Sequence, residues 1–416
     1  YPRTRMRITG SPLNKAFVAF ALLLSAAVPA PGAAPVRIGL FSLFKTAIVE
    51  VGVASGEGAT LSTGTLKGDR RLLRGDSVRI RLTGARLSVV VSDAHGGVRQ
   101  SLDVREADII PDRGAALELR LPGRVRREVR GRVAVSPALR GERQLRIVLT
   151  TDSESAVSSV VAAEMTGEHA PEAIKALAVV VRTYMLAHMG RHSQEGFDFC
   201  DTTHCQVYRG EADLAREAAS PLIAASVRAT GGERLRFAGR EIESYYTAAC
   251  GGRTATPSMA WGGATGGGYR FQRVSCQWCR ASRYSRWERS AAASSVLDIL
   301  SAAVGFRLSS SAELLAESEE AGDFVRAVIM RDHGRRVSMT SDEFRRAIGR
   351  NLGWNTVLSP TFTIRRRGQN FVFRGRGFGS QVGLCLAGAS AQASAGRSYR
   401  EILSFYYPNA ELEAID

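Results

Sequence analysis

Between Val36 and Thr150 lie stretches in which apolar side chains return at every second position. Val78-Arg79-Ile80-Arg81-Leu82, Leu117-Glu118-Leu119-Arg120-Leu121 and Leu145-Arg146-Ile147-Val148-Leu149 all alternate in this way. A period of two sets one apolar face against a core and turns the charged face outward, which is a sheet pattern and not a helical one. Thr83-Gly84, Asp93 to Gly97 and Pro122-Gly123 interrupt the alternation with turn residues, so the strands are short and turn-linked. Residues 35–150 therefore read as a β-rich domain. Nothing in it suggests chemistry, since its His95 lies in a turn-like Asp-Ala-His-Gly-Gly with no partner ligand in reach of the spacing.

The period then changes. Pro171-Glu172 has the form of a first helical turn, because proline fits a position with no amide partner and an acid suits the positive helix end. Ile174, Leu177, Ala178, Val181 and Met185 follow at helical spacing, Lys175 and Arg182 fall on other faces, and Gly190 ends the helix. Further helices are expected from Ser220 to Thr230, Ser295 to Ala302, Ser311 to Ala321, from Ser341 onward and from Tyr399 to Phe405, with a turn or two over Leu214 to Ala219. Strands are expected in a hairpin over Leu235 to Ile242, then at Ser244 to Ala249, Thr361 to Ile364 and Asn370 to Phe373. Gly262 to Gly268 is glycine-rich but lacks the strand–loop–helix setting of a nucleotide loop. The fold class is α+β: a β-rich amino-terminal domain, then a mixed α/β domain over 151–416, with a core at 154–261 and a carboxy-terminal part at 262–416.

The front of the chain is different again. Arg3, Arg5, Arg7 and Lys15 precede the apolar run Ala16 to Val28, followed by Pro29 and the small residues Ala30 to Ala34. Residues 1–34 thus read as a secretory signal peptide, with Met6 a candidate start. The apolar run is shorter than the ~20 residues of a membrane-spanning helix, so no stable span is expected after cleavage. Export to a periplasm, cell wall or extracellular space permits disulfides, and the six cysteines are read with that in mind. Net charge is +16, from 56 basic against 40 acidic residues, with no block of like charges. In that compartment a basic surface meets anionic wall polymer and lipid heads rather than nucleic acid. A merely solvated arginine-rich surface explains the charge equally well.

Chemistry concentrates between Val160 and Tyr208. Glu164 lies past the apolar turn Val157 to Ala163 and before the loop Thr166 to Ala170, where a half-buried carboxylate has a raised pKa and can act as a general acid; by position alone a solvated helix-end residue is the rival. Glu168 and Glu172 are candidate second carboxylates, and Glu172 is weighed as a cap. Arg182, beside Val179, Val180 and Val181, needs a carboxylate or a substrate group if buried. His192, Cys200, His204 and Cys205 crowd one loop, offering either a zinc site of mixed sulfur and nitrogen ligands or a local Cys200–Cys205 disulfide. Cys250 is expected to pair with Cys276 or Cys279 in a disulfide, leaving Cys385 a free, buried thiol. Tyr245, Tyr246 and Trp261 are aromatics that stack on sugar rings or fill a core. No His-Glu-x-x-His word is present to suggest a zinc hydrolase.

Ala163-Glu164-Met165, Pro171-Glu172-Ala173, Arg182-Thr183-Tyr184 and Cys200-Asp201-Thr202-Thr203-His204-Cys205-Gln206-Val207-Tyr208 together resemble the SpoIID/LytB family of bacterial cell-wall proteins. Ala249-Cys250-Gly251-Gly252-Arg253-Thr254, Gly375 to Gly379 and Ser398 to Leu403 continue the resemblance in family order. It implies a peptidoglycan lytic transglycosylase that cleaves between N-acetylmuramic acid and N-acetylglucosamine, leaves 1,6-anhydro ends, and needs no cofactor for the chemistry. Glu164 maps onto the catalytic acid and base, and Arg182 falls near the cleft. Clostridial-type members hold zinc with an upstream histidine and two cysteines, which maps onto Cys200, Cys205 and His192, taken over His204 because it precedes both cysteines. The partner implied is the glycan strand, and LytB-type members imply an alternative: a non-catalytic modifier of a peptidoglycan amidase. The chain departs from the family at Gly379-Ser380-Gln381-Val382-Gly383, where Ser380 stands in place of a histidine, and at Thr247, where histidine or serine is frequent.

Overall fold

Asp152 ends a strand and caps a helix at the same residue. In a computed structural model, which describes residues 35–64, 69–139, 143–165, 169–210, 220–262, 268–318 and 323–414, its carboxylate accepts the Ser155 amide at 2.8 Å. That satisfies one of the N–H groups a first turn leaves unpaired. Helix α1 (Ser153–Glu164) therefore springs directly from the strand Leu145–Asp152, and α2 (Pro171–Ala187) follows with Pro171 in its first turn as expected. The chain continues through α3 (Ser220–Ala229), α4 (Pro257–Trp261), α5 (Ala293–Val304), α6 (Ser341–Leu352), α7 (Leu386–Ser394) and α8 (Tyr399–Tyr406). The expected signal peptide, the turn at 214–219 and residues 263–267 of the glycine-rich stretch lie outside the described residues.

The alternating amino-terminal sequence forms two sheets. Seven strands run in the order Phe199–Cys200, Pro35–Gly39, Leu145–Asp152, Arg132–Pro137, Ala107–Pro111, Gly58–Ser62 and Arg70–Leu73. Six more run Val125–Val129, Ala116–Leu121, Ile48–Ser55, Ser77–Thr83, Arg86–Ser92 and Val98–Val104. Val49, Val51, Val78 and Ile80 of the second sheet share one core with Ile38, Leu61, Val133 and Leu149 of the first. The same core continues without a break into Val157 and Val160 of α1, through α2, and on to Tyr407.

α2 is the axis of the second half. Its buried residues include Ala173, Ile174 and the whole run Ala176 to Met185, and α1, α3, α7 and α8 all pack against it. A helix that is apolar nearly all round is a central one. A separate core, from Trp287 through Val296, Val328 and Phe344 to Phe373, lies between α5, α6 and two three-stranded sheets. The architecture is α+β, and no described helix is long and apolar enough to cross a membrane.

One helix expected from sequence is a strand. Glu313–Ser318 pairs antiparallel with Val325–Asp332, Glu313 opposite Arg331. Ala-Glu-Leu-Leu-Ala-Glu has strong helical propensity, but the sheet partner decides: Leu314 is buried while Leu315 next to it is 38% exposed, a period of two. The strand expected over Ser244 to Ala249 is reduced to Tyr246–Thr247, paired in parallel with Leu384–Cys385.

Candidate functional site

Glu164 is the last residue of α1, at the negative end of the helix dipole, with no basic residue in that turn. The dipole opposes a carboxylate there by roughly 0.3–1 kcal/mol, so the placement is not one that stability alone selects. The residue is half-buried, and the Tyr246 hydroxyl donates to its Oε1 at 3.3 Å. Burial holds the Glu164 carboxyl above its ordinary range, while the Tyr246 hydrogen bond and the charge of Arg209 pull it back. Burial, then the neighbouring carboxylate, push the Tyr246 phenol well up, so it remains a donor. Glu172, in contrast, is a structural acid: it pairs with Lys175 at 2.6 Å and accepts the Tyr399 amide at 2.8 Å. Glu168 lies outside the described residues.

Arg209 escaped the sequence reading. Its position is set from α1, where buried Ser159 accepts the amides of Arg209 at 3.3 Å and Gly210 at 3.1 Å and donates to the Gly210 carbonyl at 3.0 Å. Gly210 has φ +84°, and a Cβ there would meet the Glu128 carbonyl, so only glycine allows the close turn. Gln206 is another unpredicted feature. It is 5% exposed, and among the described residues neither atom of its amide has a partner; buried amides are normally satisfied.

The cysteine–histidine loop is built onto the amino-terminal sheet. Phe199–Cys200 adds in parallel to Pro35–Gly39, Gly39 opposite Cys200. Asp198 accepts the Arg37 amide at 2.9 Å and its Nη2 at 2.8 Å. Asp201 accepts the Phe41 amide at 2.7 Å, the Ser42 amide at 3.1 Å and Arg127 Nη1 at 2.6 Å. A Cβ on Gly39 would lie 2.6 Å from the Phe197 ring. These acids are legible in retrospect, because carboxylates flanking a tight loop serve as acceptors for free amides.

His192, Cys200, His204 and Cys205 present donor atoms all within 4.8 Å of one another. His192 Nε2 is 3.2 Å from His204 Nδ1, which is 3.7 Å from each cysteine sulfur. Tetrahedral zinc, with bonds of about 2.0–2.3 Å, needs separations of roughly 3.3–3.8 Å, so the residues fit such an ion. His204, set aside in favour of His192, belongs with it: the turn closed by the Cys205 amide on the Thr202 carbonyl at 3.1 Å folds it back over the cysteines. Glu195 holds His192 Nδ1 at 3.1 Å, as outer carboxylates orient ligating imidazoles. Both cysteines are free thiols. Hydrogen bonding from Cys205, then Thr202 and His204, draws the Cys200 thiol down against its burial, and the same contact pushes Cys205 up.

Arg182 is 3% exposed and fully committed inside the fold. It grips Glu154 of α1 through Nε and Nη2, both at 2.7 Å, and donates to the Glu233 carbonyl at 3.0 Å. It thereby fixes the helix that ends in Glu164. Tyr245 stacks between core and surface: its ring is 4.9 Å from Trp261, which is 45% exposed, and 6.1 Å from Tyr184. Thr247 and Gln381 are structural, Thr247 Oγ1 donating to Phe378 O at 2.9 Å and accepting the Gln381 amide at 3.2 Å. Ser380, half-buried beside them, accepts the Val382 amide at 3.3 Å.

Residues 141–237, which carry Glu164, Arg182 and the whole cysteine–histidine loop, match the SpoIID family, described as stage II sporulation protein. The segment is a SpoIID domain. The relatives extend the likeness beyond it. An uncharacterised protein of Brachyspira hyodysenteriae (strain ATCC 49526 / WA1) is 28% identical over 272 residues, 64% of this chain and 68% of that protein. Stage II sporulation protein D of Bacillus amyloliquefaciens is 26% identical over 274 residues, 63% of this chain and 74% of that protein. The amidase enhancer of Bacillus subtilis (strain 168) is 36% identical over 77 residues, 18% of this chain and 10% of that protein. The SpoIID match begins before α1 and ends after Arg234, so the strand that carries Tyr246 lies beyond it.

Proposed function

We propose that the protein is an exported, cell-wall-associated lytic transglycosylase acting on the glycan strands of peptidoglycan. The observation that carries the reading is Glu164 itself: a half-buried carboxylate at a helix end, raised in pKa, under a tyrosine hydroxyl and within a SpoIID domain. Protonated Glu164 donates to the glycosidic oxygen as the C1–O bond of N-acetylmuramic acid breaks. The C6 hydroxyl of that sugar then bonds to C1 and returns its proton to the Glu164 carboxylate. The proton count balances without water or a second carboxylate, unlike ordinary glycoside hydrolysis. Tyr246 holds Oε1, and Arg209 offers a positive charge beside the carboxylate once it is ionised. Exposed Trp261 and half-buried Tyr245, their rings 4.9 Å apart, form an aromatic edge suited to a sugar face. Zinc on His192, Cys200, His204 and Cys205 would fill a closed, four-ligand site and would serve structure rather than chemistry.

The likeness to an amidase enhancer favours one rival, in which the protein binds wall and modifies a separate amidase. Incubating the mature protein and Glu164→Gln with intact and peptide-stripped peptidoglycan, followed by mass spectrometry, separates the two. Anhydro ends from the native protein, lost by at least a hundredfold in Glu164→Gln, are expected. Undiminished binding with no new ends from either substrate would overturn the transglycosylase reading in favour of the modifier.

A further inference from the structure

Four of the six cysteines converge at a second place, away from the loop just described. Cys250, Cys276, Cys279 and Cys385 are each 2% exposed or less, and their sulfurs all lie within 4.8 Å of one another. The expected arrangement, a disulfide from Cys250 with Cys385 left over, is not what the fold makes: all four are free thiols, and Cys385 is a full member of the group. The Cys250 and Cys279 sulfurs are 3.6 Å apart. A tetrahedron of sulfurs around one ion at about 2.3 Å has edges of roughly 3.8 Å. An iron–sulfur cluster, which interposes bridging sulfides between the irons, spreads its cysteines wider than this.

The surroundings are made for thiolates. Cys385 is the N-cap of α7, and its sulfur accepts the Gly388 amide at 3.3 Å. The same sulfur accepts the Cys250 amide, also at 3.3 Å. The Tyr406 hydroxyl lies 3.1 Å from the Cys276 sulfur. Hydrogen bonds to sulfur from amides and hydroxyls are the outer shell that thiolate–metal sites carry. Cys276 and Cys279 have the two-residue spacing of a zinc knuckle, and their turn is closed by the Arg280 amide on the Gln277 carbonyl at 3.3 Å. Backbone also approaches closely: a Cβ on Gly388 would collide with the Tyr406 hydroxyl and lie 2.9 Å from the Cys276 sulfur.

We infer that Cys250, Cys276, Cys279 and Cys385 bind one tetrahedral divalent ion, zinc by the softness of the donor set, as a structural staple. The site ties three stretches of chain that flank, in sequence, the separate core between Trp287 and Phe373. It also lies on the segment that carries Tyr246, because Thr247 pairs with Cys385 and the Gln381 amide donates to the Cys250 carbonyl at 2.8 Å. Loss of the ion should therefore loosen the segment that holds the Tyr246 hydroxyl on Glu164.

The test uses the full mature chain, loaded with zinc or cobalt under reducing conditions. Cys200→Ser/Cys205→Ser removes the other candidate site and is expected to retain one equivalent of metal by elemental mass spectrometry. Its cobalt form should show the intense thiolate charge-transfer and tetrahedral visible bands of a four-sulfur site. Adding Cys385→Ser should abolish both. X-ray absorption on the unsubstituted zinc protein covers the case in which that variant fails to fold. With both sites filled it should give about three sulfurs per zinc, and with the four-cysteine site alone about four. In protein purified without reductant, four unreactive thiols released only by reductant and not by a chelator would show two disulfides and overturn the proposal. Four thiols that alkylate freely in the loaded native protein, or a shell of two sulfurs per zinc, would do the same.

Discussion

At the scale of the residue, Glu164 combines two features that stability does not favour, burial and the wrong end of a helix. Its carboxyl titrates higher in the folded protein than its ordinary value of 4.5. The folded state therefore binds that proton more tightly, and the stability so gained is complete below the unfolded pKa and lost as pH rises through the folded one. Glu164→Gln should accordingly match the native protein in thermal midpoint near pH 4 and exceed it by a few degrees at pH 7, even as activity disappears. Melting curves across pH 4–8 check this, and a variant less stable at neutral pH would remove the case for a strained carboxylate. The carboxylate itself was legible from its place after an apolar turn. Tyr246 was singled out only as an aromatic, because its contact with Glu164 spans 82 residues. Arg209 left no sign, since its position depends on Ser159 and on the left-handed turn at Gly210.

At the scale of the element, α1 and α2 act as a pair locked by Arg182 and Glu154. Glu154→Gln leaves a buried guanidinium without its carboxylate and should destabilise the protein by about 3 kcal/mol, read from a urea midpoint at unchanged slope. Glu154→Leu combined with Arg182→Met should recover most of that loss while activity persists. A double variant that is stable yet inactive would instead return Arg182 to the substrate. The sequence showed that Arg182 needs a partner, and it showed the helix around it. It could not name Glu154, because the pairing depends on how two helices cross. The misread strand Glu313–Ser318 belongs to the same class of error: its alternation is short, its residues favour helix, and only the neighbouring strand settles the matter. Likewise the family resemblance maps one loop histidine by its order along the chain, whereas the turn at Thr202 to Cys205 brings both imidazoles to the sulfurs.

At the scale of the molecule, the amino-terminal sheets reach into the site that sequence assigned wholly to the second half. Arg37, Phe41, Ser42 and Arg127 hold Asp198 and Asp201 on either side of Cys200. A fragment beginning at Thr151 loses all four and exposes the apolar face of α1. It should bind no zinc through His192, Cys200, His204 and Cys205 and should melt without cooperativity, as metal analysis and circular dichroism would record. A cooperative, metal-bound fragment would show that the two halves fold independently. The opposite holds for the second core. The strand Trp287–Ala292 pairs with Asn370–Gly375, Trp287 directly opposite Gly375, so the chain leaves the body of the protein and re-enters it at adjacent points. Such a doorway makes the intervening lobe an excursion with its own core. Lengthening, shortening or exchanging it should therefore leave the fold behind Glu164 in place, because both ends of the excursion are fixed by the same pair of strands.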